Sequence, residues 1–461
     1  MKSQAPGILR LSDELEDIDL GDNRLDQRAL KVIEKLAHQP DKSIPSALGT
    51  WKETKAAYRL FDSERVTAEK LLEPHREKTL ERISQQDRVL CIQDTTEIDY
   101  TGKNDIEGLG PLNYEARRGL YLHPTLAVTP GRLPLGILDS WSWSRPLDVA
   151  DKESIRWVEG YQRLCEAQQH LWEQAFDTRL VYIADREGDL FPLFVEHQKQ
   201  SEGRDRHAAD WLVRAQHDRR LEEASNPKLW ATVEAAPLLG EIEFAMPAAK
   251  SRKGRPVQQS LRAQRVTLKP PQGQDAPPVE VTALLAREIN PPQGEEPIEW
   301  LLLTNLPITT REEAEEILGW YLCRWQIEIF FRILKSGCKI EELQIEHIDR
   351  LEPAIMLYML IAWRILYLTM IGRACPELPC SVLFDQEEWE AVYLVTQRTL
   401  PPKEPPTVNE VIRWIAGFGG FLNRKGDGYP GPQTMWIGLQ RMKDFVVGIA
   451  SVREADSKGY G

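Results

Sequence analysis

The chain has 461 residues, 42% hydrophobic and 28% charged, enough for about two to four globular domains with cores of their own. Its formal net charge of −13 and pI near 5.3 exclude a surface that holds nucleic acid everywhere by charge alone, though not local basic patches. The N-terminus, MKSQAPGILRLSDELED, has no apolar leader core. The longest apolar run, AIMLYMLIAWRILYLTMIG (354–372), carries Arg364 and reads as a buried helix rather than a membrane span, so a cytoplasmic protein without membrane contact is expected. Cys91, Cys165, Cys323, Cys338, Cys375 and Cys380 show no zinc spacing with histidine and read as reduced core thiols.

In chain order, residues 1–75 have a helical pattern. LGDNRLDQRALKVIEKLAHQP follows the candidate N-cap Asp22, and SIPSALGTWKETKAAYRLFDSERVTAEKLLEPH continues in short amphipathic pieces. Strands begin with RVLCIQD (88–94), an apolar run that ends in Asp94. YLHPTLAVTP (121–130) and RLPLGILDSWSW (132–143) follow, joined through Pro130 and Gly131. Ile155, Trp157, Val158, Tyr161 and Leu164 predict a helix within 151–176. RLVYIAD (179–185) is a buried-type strand that also ends in an aspartate, Asp185. EGDLFPLFVEHQK reads as a helix and DWLVRAQ (210–216) as the next strand. A proline-rich alternating region at about 225–298 reads as a β insertion. EWLLLTNLP (299–307) leads back from it, a helix spans about Thr310 to Lys335, and the rest is largely helical, interrupted by a loop, CPELPCSVLFDQEEWE. Within the insertion, residues 245–274 hold Lys250, Arg252, Lys253, Arg255, Arg262, Arg265 and Lys269 and no acid. That run is either a solvated loop or a phosphate-binding arm.

The most specific pattern is Y-x2-R-x3-E-x6-K, formed by Tyr321, Arg324, Glu328 and Lys335 in GWYLCRWQIEIFFRILKSG. At about 100° per residue, Arg324, Glu328 and Lys335 lie near 300°, 340° and 320° from Tyr321, on one stripe. Ile327, Phe331 and Leu334 form the neighbouring apolar face. Alone, such a stripe is ordinarily a solvated face with an i,i+4 Arg324–Glu328 pair. Asp94 and Asp185, each closing a buried strand at its carboxyl edge, change that reading, because functional groups collect at that edge of open α/β sheets. Two strand-end aspartates and a helical glutamate make an oxygen-only donor set, suited to Mg²⁺ or Mn²⁺ and not to zinc. Three carboxylates can hold two such ions about 3.5–4 Å apart, the arrangement that serves displacement at phosphorus.

At these residues the chain resembles the DDE transposases of the bacterial insertion-sequence family that carries the Y-R-E-K motif (the IS-four, Tn-five-like type). The first aspartate stands in IQDTTEIDY, the second in ADREGDLF, and the Y-R-E-K motif is Tyr321, Arg324, Glu328 and Lys335. The resemblance implies an α/β fold with a ribonuclease-H-like catalytic core at 76–365, interrupted by the β insertion. It adds a helical transposon-end-binding domain at 1–75 and a helical dimerisation domain at 366–461. It implies cut-and-paste transposition in the bacterial cytoplasm: metal-dependent hydrolysis, hairpin formation and strand transfer. Asp94, Asp185 and Glu328 would be catalytic metal ligands for Mg²⁺ or Mn²⁺, with two ions per site. Tyr321, Arg324 and Lys335 would contact DNA phosphates, Trp300 would stack on a flipped base, and Arg59 and Arg214 would touch DNA. The partners would be double-stranded DNA, as terminal inverted repeats and target, and a second copy of the chain. The chain departs from the family in its acidity and in Gln344, where an arginine contacts DNA. The rival readings are a ribonuclease-H-like nuclease without strand transfer and a non-enzymatic DNA-binding regulator.

Overall fold

The structure, a computed structural model, describes residues 10–102, 106–114, 116–145, 154–203, 206–223, 225, 227–246 and 254–458. In chain order the helices are α1 (Asn23–His38), α2 (Ile44–Leu48), α3 (Trp51–Phe61), α4 (Ala68–Ser84), α5 (Ser154–Glu173), α6 (Phe191–Gln200), α7 (Leu229–Glu234), α8 (Arg311–Cys323), α9 (Trp325–Arg332), α10 (Ile348–Ala374), α11 (Gln386–Gln397), α12 (Val408–Phe418) and α13 (Pro432–Lys458). The strands are β1 (Arg88–Gln93), β2 (Thr96–Asp99), β3 (Gly110–Pro111), β4 (Arg118–Val128), β5 (Pro134–Trp143), β6 (Arg179–Ala184), β7 (Asp210–Arg214), β8 (Leu238–Met246), β9 (Arg255–Leu268), β10 (Val279–Glu288) and β11 (Glu299–Thr304).

The chain divides into two compact units. One is built from residues 1–85, 95–151 and 326–461, the other from 86–94 and 152–325. The chain thus passes from one unit to the other four times, among them directly after Asp94 and within α9.

In the first unit, α10 is the core. It is long and apolar enough to cross a membrane by length and composition, yet 94% of its most apolar stretch is buried in the fold. Helices α1, α3, α4, α12 and α13 and strand β5 pack on it. Side-chain caps start the surrounding helices where the sequence supplies them: Asp22 on α1, Thr50 on α3, Thr67 on α4 and Thr407 on α12. Strands β2, β4 and β5 are antiparallel, and the β4–β5 turn runs through Pro130 and Gly131 as read from the sequence. Gly136 lets α4 press onto β5, since a Cβ there would lie 1.9 Å from Thr79 Oγ1. QEEWE belongs to α11 instead of the expected loop, because Asp385 and Glu388 form a capping box ahead of it.

In the second unit, β1, β6 and β7 are parallel and buried, and β11 returns antiparallel to β7. Strands β8, β9 and β10 extend the same ladder from β11, as the expected β insertion. Of the basic run, Arg255–Leu268 is strand β9, and its three arginines have partners within the insertion. Arg255 binds Glu288 and, at 3.3 Å, Glu295; Arg265 binds Glu280 at 2.5 Å; Arg262 donates to the Ala236 carbonyl. Lys250, Arg252 and Lys253 lie outside the described residues.

The single helix expected from Thr310 to Lys335 is interrupted. Helix α8 starts at a capping box of Thr310 and Glu313. At Arg324 the backbone N–H bonds Tyr321 O at 3.0 Å, an i→i+3 step, and α9 resumes at Trp325. After α9, Ile333–Gly337 is a π turn, closed by Cys338 N to Ile333 O at 2.8 Å. One tightened and one widened turn mean that a uniform 100° count fails over the motif.

Candidate active site

The neighbouring parallel strands β1 and β6 pair Ile92 with Ile183. Two residues further, the register sets Asp94 opposite Asp185, on one face of adjacent strand ends about 4.8 Å apart. Between β6 and β7 the register pairs Ala184 with Val213, so the next step sets Asp185 beside Arg214. Leu302 of β11 pairs with Arg214, and Trp300, half-buried, lies two residues back along that strand. The second unit thus lines up Asp94, Asp185, Arg214 and Trp300 across one edge of the sheet.

Local structure fixes the two aspartates differently. Asp185 caps a 3-10 turn, Arg186–Gly188, accepting from Glu187 N at 2.8 Å. Behind it, Asp189 is buried and accepts from Gln216 N at 2.7 Å, His217 N at 3.0 Å and Arg219 Nη2 at 2.6 Å. This clamps the loop that carries Asp185 to the turn after β7. Replacing Asp189 by alanine strands the buried Arg219 guanidinium and is expected to destabilise the protein by about 3–5 kcal/mol. Chemical denaturation checks it, and a loss below about 1 kcal/mol contradicts the clamp.

Asp94 accepts from Arg324 Nη1 at 3.0 Å, in a pair whose side chains are only 16% and 10% exposed. The i→i+3 step at Arg324 keeps Arg324 and Tyr321 within interaction distance of each other. Tyr321 is buried, and burial raises its phenol pKa, opposed by Arg324 and Arg214 and helped by Asp185. Arg214 donates to the Glu299 carbonyl at 3.3 Å. Beneath this edge, burial drives the Tyr182 hydroxyl well above its usual range, with Asp185 and Asp94 adding to it, and that hydroxyl has no hydrogen-bond partner among the described residues.

The remaining motif residues belong to the first unit. Glu328 is exposed on α9. Lys335 lies in the π turn and donates to the Glu97 carbonyl, with Glu341 at 3.8 Å. Burial lowers its pKa, against Glu341 and Glu97. Arg59 is exposed on α3. The sequence reading did not single out Trp325, 54% exposed and next to Arg324, or Trp51, 79% exposed at the start of α3. No spacing rule marks a lone tryptophan.

The carboxylate oxygens fit a hard divalent cation by chemistry. Among the described residues, however, no group of three or more His, Cys, Asp or Glu side chains is arranged to hold a metal ion. In the second unit Asp94 has the Arg324 guanidinium as its counter-ion.

Family models match in three places. A transposase DNA-binding model matches residues 10–66, a transposase DDE domain model residues 199–364, and a Tn5 transposase dimerisation domain model residues 360–459. The DDE match contains Arg214, Trp300, Tyr321, Arg324, Glu328 and Lys335, whereas Asp94 and Asp185 precede it. A mixed α/β fold with this domain is a ribonuclease-H-like enzyme of the metal-dependent nuclease class. The chain belongs to the Tn5-like DDE transposases. It is a DNA transposase, with a DNA-binding and a dimerisation domain beside the catalytic one, and enzymes of this kind require a divalent metal.

Proposed function

We propose that the chain catalyses cut-and-paste transposition of an insertion sequence, by hydrolysis, hairpin formation and strand transfer at terminal inverted repeats. The observation that carries this reading is the in-register pair Asp94 and Asp185 at neighbouring strand ends, with Arg324 and Tyr321 beside it. Asp94, Asp185 and Glu328 would hold Mg²⁺ or Mn²⁺, with two ions per site. Such ions, when bound, activate the attacking hydroxyl and stabilise the leaving oxygen. Arg324 and Arg214 supply planar donors suited to phosphate, and Tyr321 lies beside Arg324 as a further hydroxyl donor. Lys335 adds a point charge, Trp300 stacks on an extruded base, and Arg59 reaches the duplex from the end-binding domain. The working parts are residues 1–75 for end binding, 76–365 for catalysis with the insertion at about 225–298, and 366–461 for dimerisation.

The test uses a labelled duplex carrying the element's terminal repeat, with Mg²⁺. Nicking followed by hairpin and joined products is expected. Nicks alone indicate a nuclease without strand transfer, and end binding without cleavage indicates a regulator.

The synaptic complex would be a homodimer bridging two ends. Helix α13, inside the dimerisation match, exposes Val447 and Val452. Burying a charge at such an interface is unfavourable by several kcal/mol. Val452→Asp is therefore expected to convert dimers to monomers in sedimentation, with the monomer still folded. A dimer of unchanged strength would place the interface elsewhere.

A further inference from the structure

Arg324 stands at the i→i+3 step between α8 and α9, with its guanidinium against the Asp94 carboxylate and Tyr321 close by. With Asp94 Oδ2 accepting from Arg324 Nη1 at 3.0 Å, the guanidinium neutralises the carboxylate and its positive charge repels a divalent cation that approaches it. Arg324 and a divalent ion therefore compete for Asp94. The pair is also shielded from water, so releasing either partner without a replacement leaves an uncompensated charge in a poorly solvated place. Asp94 is released at least cost when the guanidinium gains another anion, and a DNA phosphate is the natural bidentate substitute. Arg214 and Tyr321, which share this neighbourhood, keep it polar while the guanidinium changes partners.

We propose that Arg324 couples metal loading to DNA binding: its guanidinium neutralises Asp94 in the free protein, and a DNA phosphate that captures it frees Asp94 for the cation. This rests on the reading of Asp94 as a metal ligand given above. Linkage makes the effect reciprocal, so DNA and the divalent ion raise each other's affinity by one factor. The protein alone then binds metal weakly, which limits metal-dependent cleavage to chains already seated on DNA.

The test is a Mn²⁺ titration of the full chain, with free ion followed by electron paramagnetic resonance and no turnover involved. Arg324→Gln is expected to bind Mn²⁺ about fivefold tighter than the unsubstituted chain, as removal of a competing ion pair of this kind implies. A duplex carrying the terminal repeat is expected to tighten Mn²⁺ binding to the unsubstituted chain by a similar factor and to leave Arg324→Gln unchanged. Equal or weaker Mn²⁺ binding by a folded Arg324→Gln chain overturns the proposal. Should that variant not fold, a duplex that leaves the Mn²⁺ affinity of the unsubstituted chain unmoved overturns it on its own. Asp94→Asn separates the two levels: if it binds Mn²⁺ as tightly as the unsubstituted chain on the duplex, the ligand reading itself has failed.

Discussion

An Asp185→Asn chain is expected to lose end cleavage by at least about a thousandfold while keeping its fold and its affinity for duplex DNA. Metal-held charge at a phosphoryl centre contributes several kcal/mol to the transition state, and about 4 kcal/mol is three powers of ten. Asparagine is nearly isosteric with aspartate, and its amide oxygen can still accept from Glu187 N, so the cap on the turn Arg186–Gly188 survives. What is lost is the anionic donor opposite Asp94. Duplex affinity should hold or rise, because removing a negative charge beside Arg214 cannot repel a polyanion. Single-turnover cleavage, circular dichroism and a gel-shift titration measure the three quantities. A cleavage rate within tenfold of the unsubstituted chain would remove Asp185 from the proposed metal site.

Glu14→Ala is expected to lower the unfolding free energy by about 3–5 kcal/mol, as for other buried ion pairs that lose one partner. Glu14, ahead of α1, is 2% exposed and receives His75 Nδ1 at 2.6 Å and Arg82 at 2.9 and 3.0 Å. His75 Nε2 accepts from Ile137 N at 3.0 Å, so the ring is neutral and its proton sits on Nδ1. Trp363 of α10 packs against both the imidazole and the guanidinium. Burial pushes the Glu14 carboxyl up, but the bonds from His75 and the charge of Arg82 prevail and hold it at about 2. The folded pKa thus lies below the ordinary value of 4.5. The stabilisation is present above that value and is lost as pH falls through about 2. Burial likewise lowers His75 below 6.5 in the folded chain, so stability also declines as pH drops from 6.5, where only the unfolded chain takes the proton. Urea titrations at several pH values test both signs. A Glu14→Ala chain as stable as the original would show that the cluster contributes nothing.

Much of the candidate site is legible in the sequence. Asp94 and Asp185 each end an apolar run of strand length, and β1 and β6 are those runs. The β insertion and the capped first helix are equally visible, because alternation and N-cap chemistry act over a few residues. Strand β2 is not, since TEID is short and three of its four residues are polar, and it exists by pairing with β4. The basic run resembles a phosphate arm because sequence shows charges but not their partners. In the fold, Glu288, Glu295 and Glu280 neutralise two of its arginines across the ladder.

By itself the sequence determined most of the elements, the carboxyl-edge positions of two aspartates and the closeness of Tyr321 and Arg324 along one helical stretch. All of these follow from periodicity and backbone chemistry within a short stretch. Only the tertiary structure decided that β1 and β6 meet in the register that sets Asp94 opposite Asp185. It alone decided that Arg324, 230 residues after Asp94, closes on that carboxylate. Register and long-range charge pairing depend on which buried faces pack together, and that packing is a property of the whole folded chain rather than of any segment.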